Sequence, residues 1–453
     1  MTTGPMAEGQ SVPAWRVFAA AALPFVFLAV VLLVLSYVWL DPTPPKRVVL
    51  ATGVEQGAYS EFGKRYAAWL SRHGIKVELR HTQGAAENIA LLRDPGSGVD
   101  LAFVQGGADV ERRKDEEAED GLTSLGSMFY EPVWLFYRAE SAHKLLKAPR
   151  LERLAQLAGW RVNIGAPGSG VPNLARRLLD ANRIDAGTIT LIQQSQTPAV
   201  ADLLEGKLDA VVLASAPESL MVQMLLKTPG IGLLDFAQAE AYSRLFPFMN
   251  PVTLPRGMVD LGRDMPPRDV RLVAPTGSLV ARDSTHPALI QLFVQAAAQV
   301  HGGAGWFQHK GEFPNARKAE RPLAAEAERF YRSGVPFLQR YLPFWLANLF
   351  ERMWPVLVTL VAVLLPLSRM LPPLYEFRVR SRVFRWYGQL RAVEDQVGHR
   401  NAGELARELD ALEQRVERIA VPLSYVDELY ALRTHIQLVR SRLQDLAARG
   451  TAG

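Results

Sequence analysis

Two glycine-rich turns, each lying between a short apolar run and a helix-like stretch, constrain the fold of this chain more than any other feature. The turns are residues 52–59 and 165–170. The runs before them, residues 47–51 and 161–164, are rich in branched aliphatic side chains, which favour buried β-strands. Each turn leaves backbone N–H groups unpaired at a helix start, where partial positive charge favours a carboxylate or a phosphate. Two such units predict a two-lobed ligand-binding fold.

Two long apolar runs indicate that the chain contains more than these units. With 453 residues and 49% hydrophobic content, it is too long for one compact core and should form two or three domains. Residues 17–40 carry no charge and are numerous enough to cross a bilayer as a helix. A second apolar run, residues 353–367, contains Pro355 and Pro366 and predicts a second membrane span over residues 353–371. A buried core helix is the alternative for this run.

The end of the first run predicts an uncleaved anchor. A signal peptide also carries an apolar segment near the N-terminus, but its cleavage site requires small residues, and residues 36–42 are mostly bulky. Tyr37 and Trp39 are of the type that is enriched at membrane interfaces. We therefore expect residues 17–40 to remain in the lipid bilayer as a transmembrane helix or uncleaved signal anchor.

Arginines after the second run predict the orientation in the membrane, because basic residues accumulate on the cytoplasmic side of spans. The cluster consists of Arg369, Arg378, Arg380, Arg382 and Arg385. With two crossings, residues 1–16 and 372–453 are predicted to be cytoplasmic. Residues 46–340, which follow a stiff proline-rich linker at 41–45, are predicted to face the periplasm or the cell exterior.

Composition and motifs argue against several function classes. The net charge of +5 does not indicate a nucleic-acid partner, because much of the excess lies in the arginine cluster. Cysteine is absent, which excludes disulfides and thiolate metal sites, and the eight histidines lack metal-ligand spacing. No nucleophile-elbow or phosphate-loop motif occurs, and no histidine or acid can be nominated as a partner of Ser169. We therefore predict no enzyme activity, no metal and no cofactor.

Strand-like runs alternate with helix-like stretches between residues 46 and 340. This alternation predicts an α/β fold with mostly parallel sheets and helices on their faces. The predicted strands are residues 48–51, 76–80, 101–104, 133–138, 161–165, 189–191, 210–214 and 279–281. The charged run at residues 109–120 has mixed sign and is interpreted as a solvated surface without a function.

Glycine and polar residues gather at the carboxyl ends of several predicted strands, which is where α/β sheets bind ligands. They occur at residues 83–88, 105–107 and 214–217. The alternative interpretation is that each glycine ends a strand or caps a helix. Their recurrence at the same end of many units favours a binding site.

Several separate motifs, in consistent order and spacing, resemble the TAXI-type solute receptors of tripartite ATP-independent periplasmic (TRAP) transporters. They are Thr52-Gly53 with Gly57-Ala58-Tyr59, residues 84–88, residues 100–105, Tyr130-Glu131-Pro132, residues 166–170 and residues 206–210. The resemblance spans roughly residues 48–300. It implies a two-lobed periplasmic-binding-protein type II clamp that closes on a small anionic organic solute, such as an amino acid or a dicarboxylate, and performs no chemistry. It also implies a TRAP-type membrane permease as partner.

The candidate ligand-binding residues come from this resemblance and from the strand ends. The resemblance implies a site formed by Gly57, Ala58, Tyr59, Gly84, Asn88, Gln105, Gly168, Ser169 and Gly170. Tyr130 is added as a residue that affects selectivity, and Ser215 because it follows a predicted strand. The sequence departs from the family pattern at residues 60–62, where a second aromatic residue and a proline are usual. A second span and a tail are further departures.

The tail beyond Val379 is helical in pattern. Apolar residues at alternating steps of three and four form two seams: Leu405, Leu409, Leu412, Val416 and Ile419, then Leu429, Leu432, Ile436, Val439, Leu443 and Leu446. Pro422 separates them, and Asn401 with Glu404 and Ser424 with Asp427 are typical helix-capping pairs. This pattern predicts a C-terminal α-helical hairpin, or one half of a coiled-coil bundle formed by self-association. A solvated hairpin with no partner is the alternative.

Together these features predict a membrane-anchored extracytoplasmic solute receptor in the inner membrane, with both termini cytoplasmic. Two other functions stay open at this stage. A solute sensor or assembly factor would use the same clamp and signal through the cytoplasmic helices. An enzyme on a binding-protein scaffold is the weaker third alternative, and turnover of a bound compound would be required to establish it.

Overall fold

The computed structural model describes residues 14–40, 43–109, 120–317, 319–397, 399–417 and 426–450. Its backbone forms two compact units. Pro42–Leu349 is called the α/β unit here, and Met1–Asp41 together with Phe350–Gly453 is called the helical unit. Several predictions lie wholly or partly outside the described residues, namely those on residues 1–13, 41–42 and 110–119 and on Ile419, Pro422 and Ser424.

Eleven strands occur among the described residues, all in the α/β unit. They are β1 (Arg47–Ala51), β2 (Lys76–Arg80), β3 (Leu101–Gln105), β4 (Leu122–Tyr130), β5 (Val133–Arg138), β6 (Arg161–Asn163), β7 (Thr190–Ile192), β8 (Ala210–Ala214), β9 (Ile231–Leu233), β10 (Met249–Leu254) and β11 (Val270–Arg282). Each of the eight predicted strands overlaps one of them. The prediction missed β4, β9, β10 and most of β11.

Helices alternate with these strands and form most of the helical unit. They are α1 (Ala14–Leu40), α2 (Ala58–Ser71), α3 (Ala85–Arg93), α4 (Ala139–Ser141), α5 (Val171–Ala181), α6 (Gln196–Glu205), α7 (Leu220–Lys227), α8 (Ala239–Leu245), α9 (Pro287–His301), α10 (Ala325–Ser333), α11 (Phe344–Glu394), α12 (Ala402–Glu417) and α13 (Val426–Gly450).

The strands form two mixed sheets, so the prediction of mostly parallel sheets is wrong. The first sheet has the order β10-β11-β3-β1-β2, with β4 also paired to β11, and the second has the order β7-β6-β8-β5-β9. Parallel pairing is restricted to β1 with β2 and β3, and β6 with β7 and β8. The remaining pairs are antiparallel. The reason is connectivity: β10 and β11, for example, are joined without the crossover helix that parallel neighbours usually require.

The α/β unit has two lobes with separate cores, and β10 with the first half of β11, although paired into the first sheet, packs in the core of the second lobe. Phe103, Phe129 and Phe293 lie in the core of the first lobe. Trp134 and Trp160 lie in the core of the second. Each core is buried between its sheet and the helices that flank it, which is the layered arrangement that α/β folds use to cover both faces of a sheet.

Two segments connect the lobes. The first is the two-residue connection between β4 and β5, which consists of Glu131 and Pro132. The second is β11, because Leu272 lies in the core of the second lobe and Leu279 in the core of the first. The two segments are joined directly, since the backbone N–H of Glu131 donates to the carbonyl oxygen of Pro275 at 2.9 Å. Glu131 therefore lies at the junction between the lobes.

Two helices are long and apolar enough to cross a membrane. The apolar stretches are Leu23–Leu40 and Phe344–Leu367, with mean hydropathies of 2.6 and 1.6. In the second stretch Val358, Val361 and Leu365 are exposed, so it is not a buried core helix of the described chain. Arg352 donates from Nη1 to the carbonyl oxygen of Leu40 at 3.1 Å, and thereby satisfies a carbonyl at the C-terminal end of α1.

The apolar seams of the tail pack against each other within one chain. The buried cluster consists of Leu390, Val393, Leu405, Leu409, Leu412, Val416, Leu432, Ile436, Val439 and Leu443. The last turns of α11 thus pack with α12 and α13 in a small helical cluster. Arg440 pairs with Asp410 and Glu413 on α12, and Arg442 pairs with Glu394 on α11 at 3.0 Å. Because these described seam residues are already buried within one chain, their burial does not require a second copy.

Candidate functional site

A small cavity lies between the two lobes of the α/β unit. Its volume is about 50 Å³, several times the roughly 10–15 Å³ that a single water requires by this kind of measure. The lining residues come from both lobes and are Gly53, Val54, Gly57, Ala58, Tyr59, Gln83, Gly84, Gln105, Glu131, Ser169, Val171, Gln196, Ala214 and Ser215. The size and polarity of this lining suit a small polar solute.

Four helix starts converge on this cavity. Gly57 precedes α2 and Gly84 precedes α3, both in the first lobe. Val171 is the first residue of α5 and Gln196 the first of α6, both in the second lobe. Helix N-termini carry partial positive charge and unpaired N–H donors. The cavity therefore lies in a positive field to which both lobes contribute, and this field favours an anionic group.

A buried carboxyl group projects into the same cavity. Glu131 is only 1% exposed. Its Oε2 accepts a hydrogen bond from Gln105 Nε2 at 2.7 Å, whereas its Oε1 has no hydrogen-bond partner among the described residues. A β-carbon at position 277 would lie 2.5 Å from Oε1, so the glycine at that position provides the room that the carboxyl group occupies. The carboxyl group is thus enclosed by the protein, with Gln105 and the Tyr59 hydroxyl as its polar neighbours.

Burial perturbs the acid–base behaviour of this carboxyl group. Loss of hydration raises the pKa of Glu131 to about 7, although the Tyr59 hydroxyl and the Gln105 amide act in the opposite direction. Near neutral pH both protonation states are therefore accessible. Tyr59 itself stays neutral, because burial, followed by the neighbouring Glu131, raises the pKa of its hydroxyl well above the usual value.

Tyr59 is held in place by aromatic packing. Its ring stacks on Phe103, with 5.2 Å between the ring centroids, and meets Phe129 edge-on at 6.1 Å. Phe103 lies on β3 and Phe129 on β4, so the ring position is determined by two strands of the first lobe. The aromatic residue of the first glycine turn is therefore a rigid wall of the cavity.

Glycines allow the lobes to approach closely on one side of the cavity. A β-carbon at Gly84 would lie 3.0 Å from Ser169 Cα, and a β-carbon at Gly168 would lie 2.9 Å from Gln83 Cβ. Gly84 also has a φ of 136°, which side-chain-bearing residues rarely adopt. The two glycine-containing loops are thus in direct contact across the cleft, and larger residues would force them apart.

Seven of the eleven candidate residues line the cavity. They are Gly57, Ala58, Tyr59, Gly84, Gln105, Ser169 and Ser215. Gly168 and Gly170 lie beside it, and a β-carbon at Gly170 would be 3.3 Å from Gln105 Oε1. Asn88 and Tyr130 lie elsewhere.

Asn88 joins strands rather than lining the cavity. Its Nδ2 donates to the carbonyl oxygens of Thr52 and Phe103 at 2.5 and 2.8 Å, and its Oδ1 accepts from Thr82 Oγ1 at 2.7 Å. Tyr130 faces a different cavity, and its hydroxyl donates to Glu312 Oε1 at 2.7 Å. For these two residues the placement differs from the expectation. Buried polar groups need partners, and both have found theirs within the protein.

Comparison with known proteins identifies the family. The family described as NMT1-like matches residues 50–332, which is more than half of the chain. The chain belongs to the NMT1-like family. The matched region coincides with the two-lobed part of the α/β unit, and the fold of this NMT1-like protein is mixed α/β. No curated protein matches the sequence.

Three solved structures that are similar to this NMT1-like chain have 15% sequence identity to it. The alkanesulfonate-binding protein SsuA from Xanthomonas axonopodis pv. citri, bound to MOPS, is 15% identical, with a TM-score of 0.37 over 57% of this chain and 74% of that one. SsuA from Escherichia coli, a periplasmic aliphatic sulphonate binding protein, is 15% identical, with a TM-score of 0.35 and coverages of 70% and 83%. MatC from Rhodopseudomonas palustris, with bound malate, is 15% identical, with a TM-score of 0.37 and coverages of 70% and 99%.

The sequence-based site of this NMT1-like protein omitted three polar lining residues, Gln83, Gln196 and Glu131. Gln196 begins α6 in a region without a glycine turn, so no motif pointed to it. Glu131 stood next to the predicted Tyr130, but β4 was not predicted, and without β4 the direction of either side chain could not be assigned. Among the described residues there is no cluster of His, Cys, Asp or Glu that could hold a metal ion.

Proposed function

We propose that this protein is a membrane-anchored extracytoplasmic receptor that binds a small organic acid for a TRAP-type secondary transporter. The observation that carries the proposal is the convergence of four helix starts, two from each lobe, on one small cavity. Such a field provides a site for a carboxylate without a charged side chain. Amino acids and dicarboxylate-like acids both fit this description.

The proposed mechanism is closure of the two lobes around the solute. Rotation would occur at Glu131–Pro132 and near Pro275, since these are the segments that connect the lobes. The loops at Gly84 and Ser169 would separate in the open form and meet when the lobes close. Closure excludes water and strengthens each polar contact to the solute.

The apolar helices support a membrane-anchored form of this receptor. We propose that the stretches Leu23–Leu40 and Phe344–Leu367 span the inner membrane, and that the α/β unit faces the periplasm or the cell exterior. Anchoring would keep the receptor close to a permease in the same membrane, which raises the effective concentration of one for the other.

The direct test is to identify what the protein binds. The full-length protein, purified in nanodiscs from cells grown on rich medium, would be denatured and its released small molecules identified by mass spectrometry. Each candidate would then be titrated calorimetrically into protein from which bound solute has been removed. The proposal requires saturable binding of an organic acid with 1:1 stoichiometry. Absence of a released acid, together with no binding by a panel of amino, oxo, hydroxy and dicarboxylic acids, would contradict it.

A solute sensor is the second candidate function, and one observation favours it. Helix α11 runs without interruption through fifty-one residues, from Phe344 to Glu394, and its last turns pack into the cluster with α12 and α13. Its length of about 77 Å exceeds the roughly 30 Å hydrocarbon thickness of a bilayer. Co-purification of a permease would support the transport function. Capture of a signalling partner that depends on the tail would favour the sensor.

A further inference from the structure

We infer that residues 337–345, at the end of the α/β unit, lie in the headgroup layer of the bilayer and bind the first lobe to the membrane surface. This segment, called the aromatic segment here, consists of the short 3-10 turn Phe337–Arg340, the connection after it and the start of α11. The inference rests on the proposed membrane anchoring, because it requires the second apolar stretch to be a span. It goes beyond that anchoring, since a span alone does not determine whether the α/β unit contacts lipid.

The exposed aromatic side chains of the α/β unit are confined to the aromatic segment. Phe337 is 69% exposed, Tyr341 74% and Trp345 61%. All other Phe, Tyr and Trp residues that the structure describes in the α/β unit are buried or half-buried. The rings of Phe337 and Tyr341 also contact each other, with 5.2 Å between the centroids. So much exposed aromatic surface in one place indicates a contact surface.

Other residues attach the aromatic segment to the first lobe. Gln295 of α9 donates from Nε2 to Gln339 Oε1 at 2.7 Å. Phe344 packs against the core of the first lobe, and Ala347 is fully buried. The exposed aromatic side chains therefore stand on a backbone that the lobe already holds in place. A contact between these side chains and lipid would hold the first lobe as well, and closure of the cleft would then move the second lobe relative to the membrane.

The position of the aromatic segment along the chain favours lipid as its partner. The segment leads into the apolar stretch Phe344–Leu367, whose 24 residues form a helix of about 36 Å, longer than the roughly 30 Å of hydrocarbon. Glu351 and Arg352 lie in the N-terminal half of this stretch, and charges are costly in hydrocarbon, so this half protrudes into the headgroup layer. Trp and Tyr are enriched in that layer because each ring is apolar and also carries a hydrogen-bonding group. Trp345 and Tyr341 are therefore of the type expected there.

The test uses spin labels, because the chain contains no cysteine and a single introduced cysteine can be labelled at a chosen position. Phe337→Cys and Tyr341→Cys would probe the aromatic segment, and Val361→Cys the proposed span. Leu261→Cys is the matched control, since Leu261 is an apolar residue that is 87% exposed in the connection between β10 and β11. Each full-length variant would be placed, one copy per disc, in nanodiscs of phosphatidylcholine and phosphatidylglycerol. Power-saturation EPR would compare collisions of the label with oxygen, which concentrates in lipid, and with a water-soluble nickel chelate.

We expect labels in the aromatic segment to give an intermediate ratio of oxygen to nickel accessibility. At Phe337→Cys and Tyr341→Cys the ratio should exceed the value at Leu261→Cys about threefold and stay below the value at Val361→Cys, because the headgroup layer lies between water and hydrocarbon. All four positions are exposed, so the label should not disturb a core. An unchanged Tm of each labelled variant would confirm that it is folded.

Two results would overturn the inference and leave the anchored receptor intact, provided that Val361→Cys gives a lipid-like ratio. One is a ratio at both aromatic positions as low as that at Leu261→Cys, which would show these side chains in water and available to a protein partner instead. The other is a ratio as high as that at Val361→Cys, which would place the aromatic segment within the hydrocarbon. A water-like ratio at Val361→Cys would contradict the proposed membrane anchoring, and the inference with it.

Discussion

The backbone N–H of Glu131 donates a hydrogen bond to the carbonyl oxygen of Pro275 at 2.9 Å. These two residues belong to the two segments that connect the lobes, so this bond lies where any relative rotation of the lobes must occur. The side chain of Glu131 projects from the same point into the solute cavity. Glu131, whose pKa is raised by burial, is therefore also a residue of the connection between the lobes.

The raised pKa of Glu131 predicts a pH-dependent stability. Between 4.5, the ordinary value, and about 7, the folded protein holds a proton that the unfolded chain has lost. This contribution to stability is complete below pH 4.5 and is lost as the pH rises through 7. The difference in pKa corresponds to roughly 3 kcal/mol. We expect Glu131→Gln to raise the Tm of solute-free protein at pH 8 relative to wild type, and to change it much less at pH 5.

Scanning fluorimetry of both proteins across this pH range would measure the effect. Parallel Tm profiles for wild type and Glu131→Gln would show that Glu131 does not titrate in this interval.

The close approach of the lobes at Gly168 predicts a variant that impairs closure. Valine at this position would meet Gln83 and Glu87 across the cleft. We expect Gly168→Val to weaken solute binding at least tenfold, which is about 1.4 kcal/mol, because the lobes no longer meet. Gly303→Val is the matched control, since a β-carbon there meets nothing within 4 Å. Calorimetry would measure affinity and small-angle scattering the change in radius on addition of solute. Equal affinities in the two variants would exclude contact at Gly168 from the bound form.

The hydrogen bonds of Asn88 predict a stabilising role. Removing its side chain in Asn88→Ala takes a donor from the buried carbonyl oxygen of Phe103, whereas the Thr82 hydroxyl and the carbonyl oxygen of Thr52 keep their hydrogen bond to each other at 3.1 Å. An unsatisfied buried group costs about 1–3 kcal/mol, so we expect a loss of roughly 1–3 kcal/mol in unfolding free energy. A double-mutant cycle with Thr82→Val, measured by urea unfolding, would give the coupling between the two side chains. A loss below about 0.5 kcal/mol would show that the network is dispensable.

The buried seam of the tail predicts where a charge disrupts the helical cluster. Leu409 is fully buried among α11, α12 and α13, whereas Leu438 is 55% exposed. We expect Leu409→Asp to unfold the cluster and Leu438→Asp to leave it folded, because a charge is costly only where water is excluded. Limited proteolysis of the nanodisc-embedded protein would detect unfolding. Solute binding should be unchanged in both. Equal protease resistance of the two variants would contradict the packing.

The arginine cluster after the second apolar stretch predicts the side of the membrane that the tail occupies. A reporter that is active only in the cytoplasm should be active when fused after Gly453. A reporter that is active only in the periplasm should be inactive at the same position. A matched fusion within the α/β unit, after Gly303, should give the opposite result. Activity of a periplasmic reporter at the C-terminus would contradict the two-span topology.

Much of the fold could be predicted from local patterns. The strands β1, β3 and β8 are short apolar runs followed by glycine or polar turns, and such runs are recognisable because both faces of the strand are largely buried. β4 and β11 are different. Each holds glycine and polar residues among the apolar ones, as in residues 122–130, because part of each strand contacts the other lobe or the loops instead of a core. That pattern is not periodic, and the strands that connect the lobes were missed for this reason.

The candidate site was predictable where the backbone itself forms it. Gly57, Gly84 and Ser169 stand in glycine-containing turns, and such turns are visible in the sequence. The direction of a side chain was not predictable. Asn88 and Gln105 both carry a side-chain amide and both follow predicted strands. The amide of Asn88 joins strands, whereas the amide of Gln105 donates to Glu131. The difference depends on which strands are neighbours, and that information is not local.

The position of Glu131 has a kinetic consequence. When two bodies rotate about a common axis, points near the axis are displaced least, and points far from it are displaced most. Glu131 would therefore occupy almost the same place before and after the lobes meet, while the loops at Gly84 and Ser169 come together only at the end. Because the two loops close the cleft last, substitutions in them should alter how long the molecule is retained more than how fast it arrives.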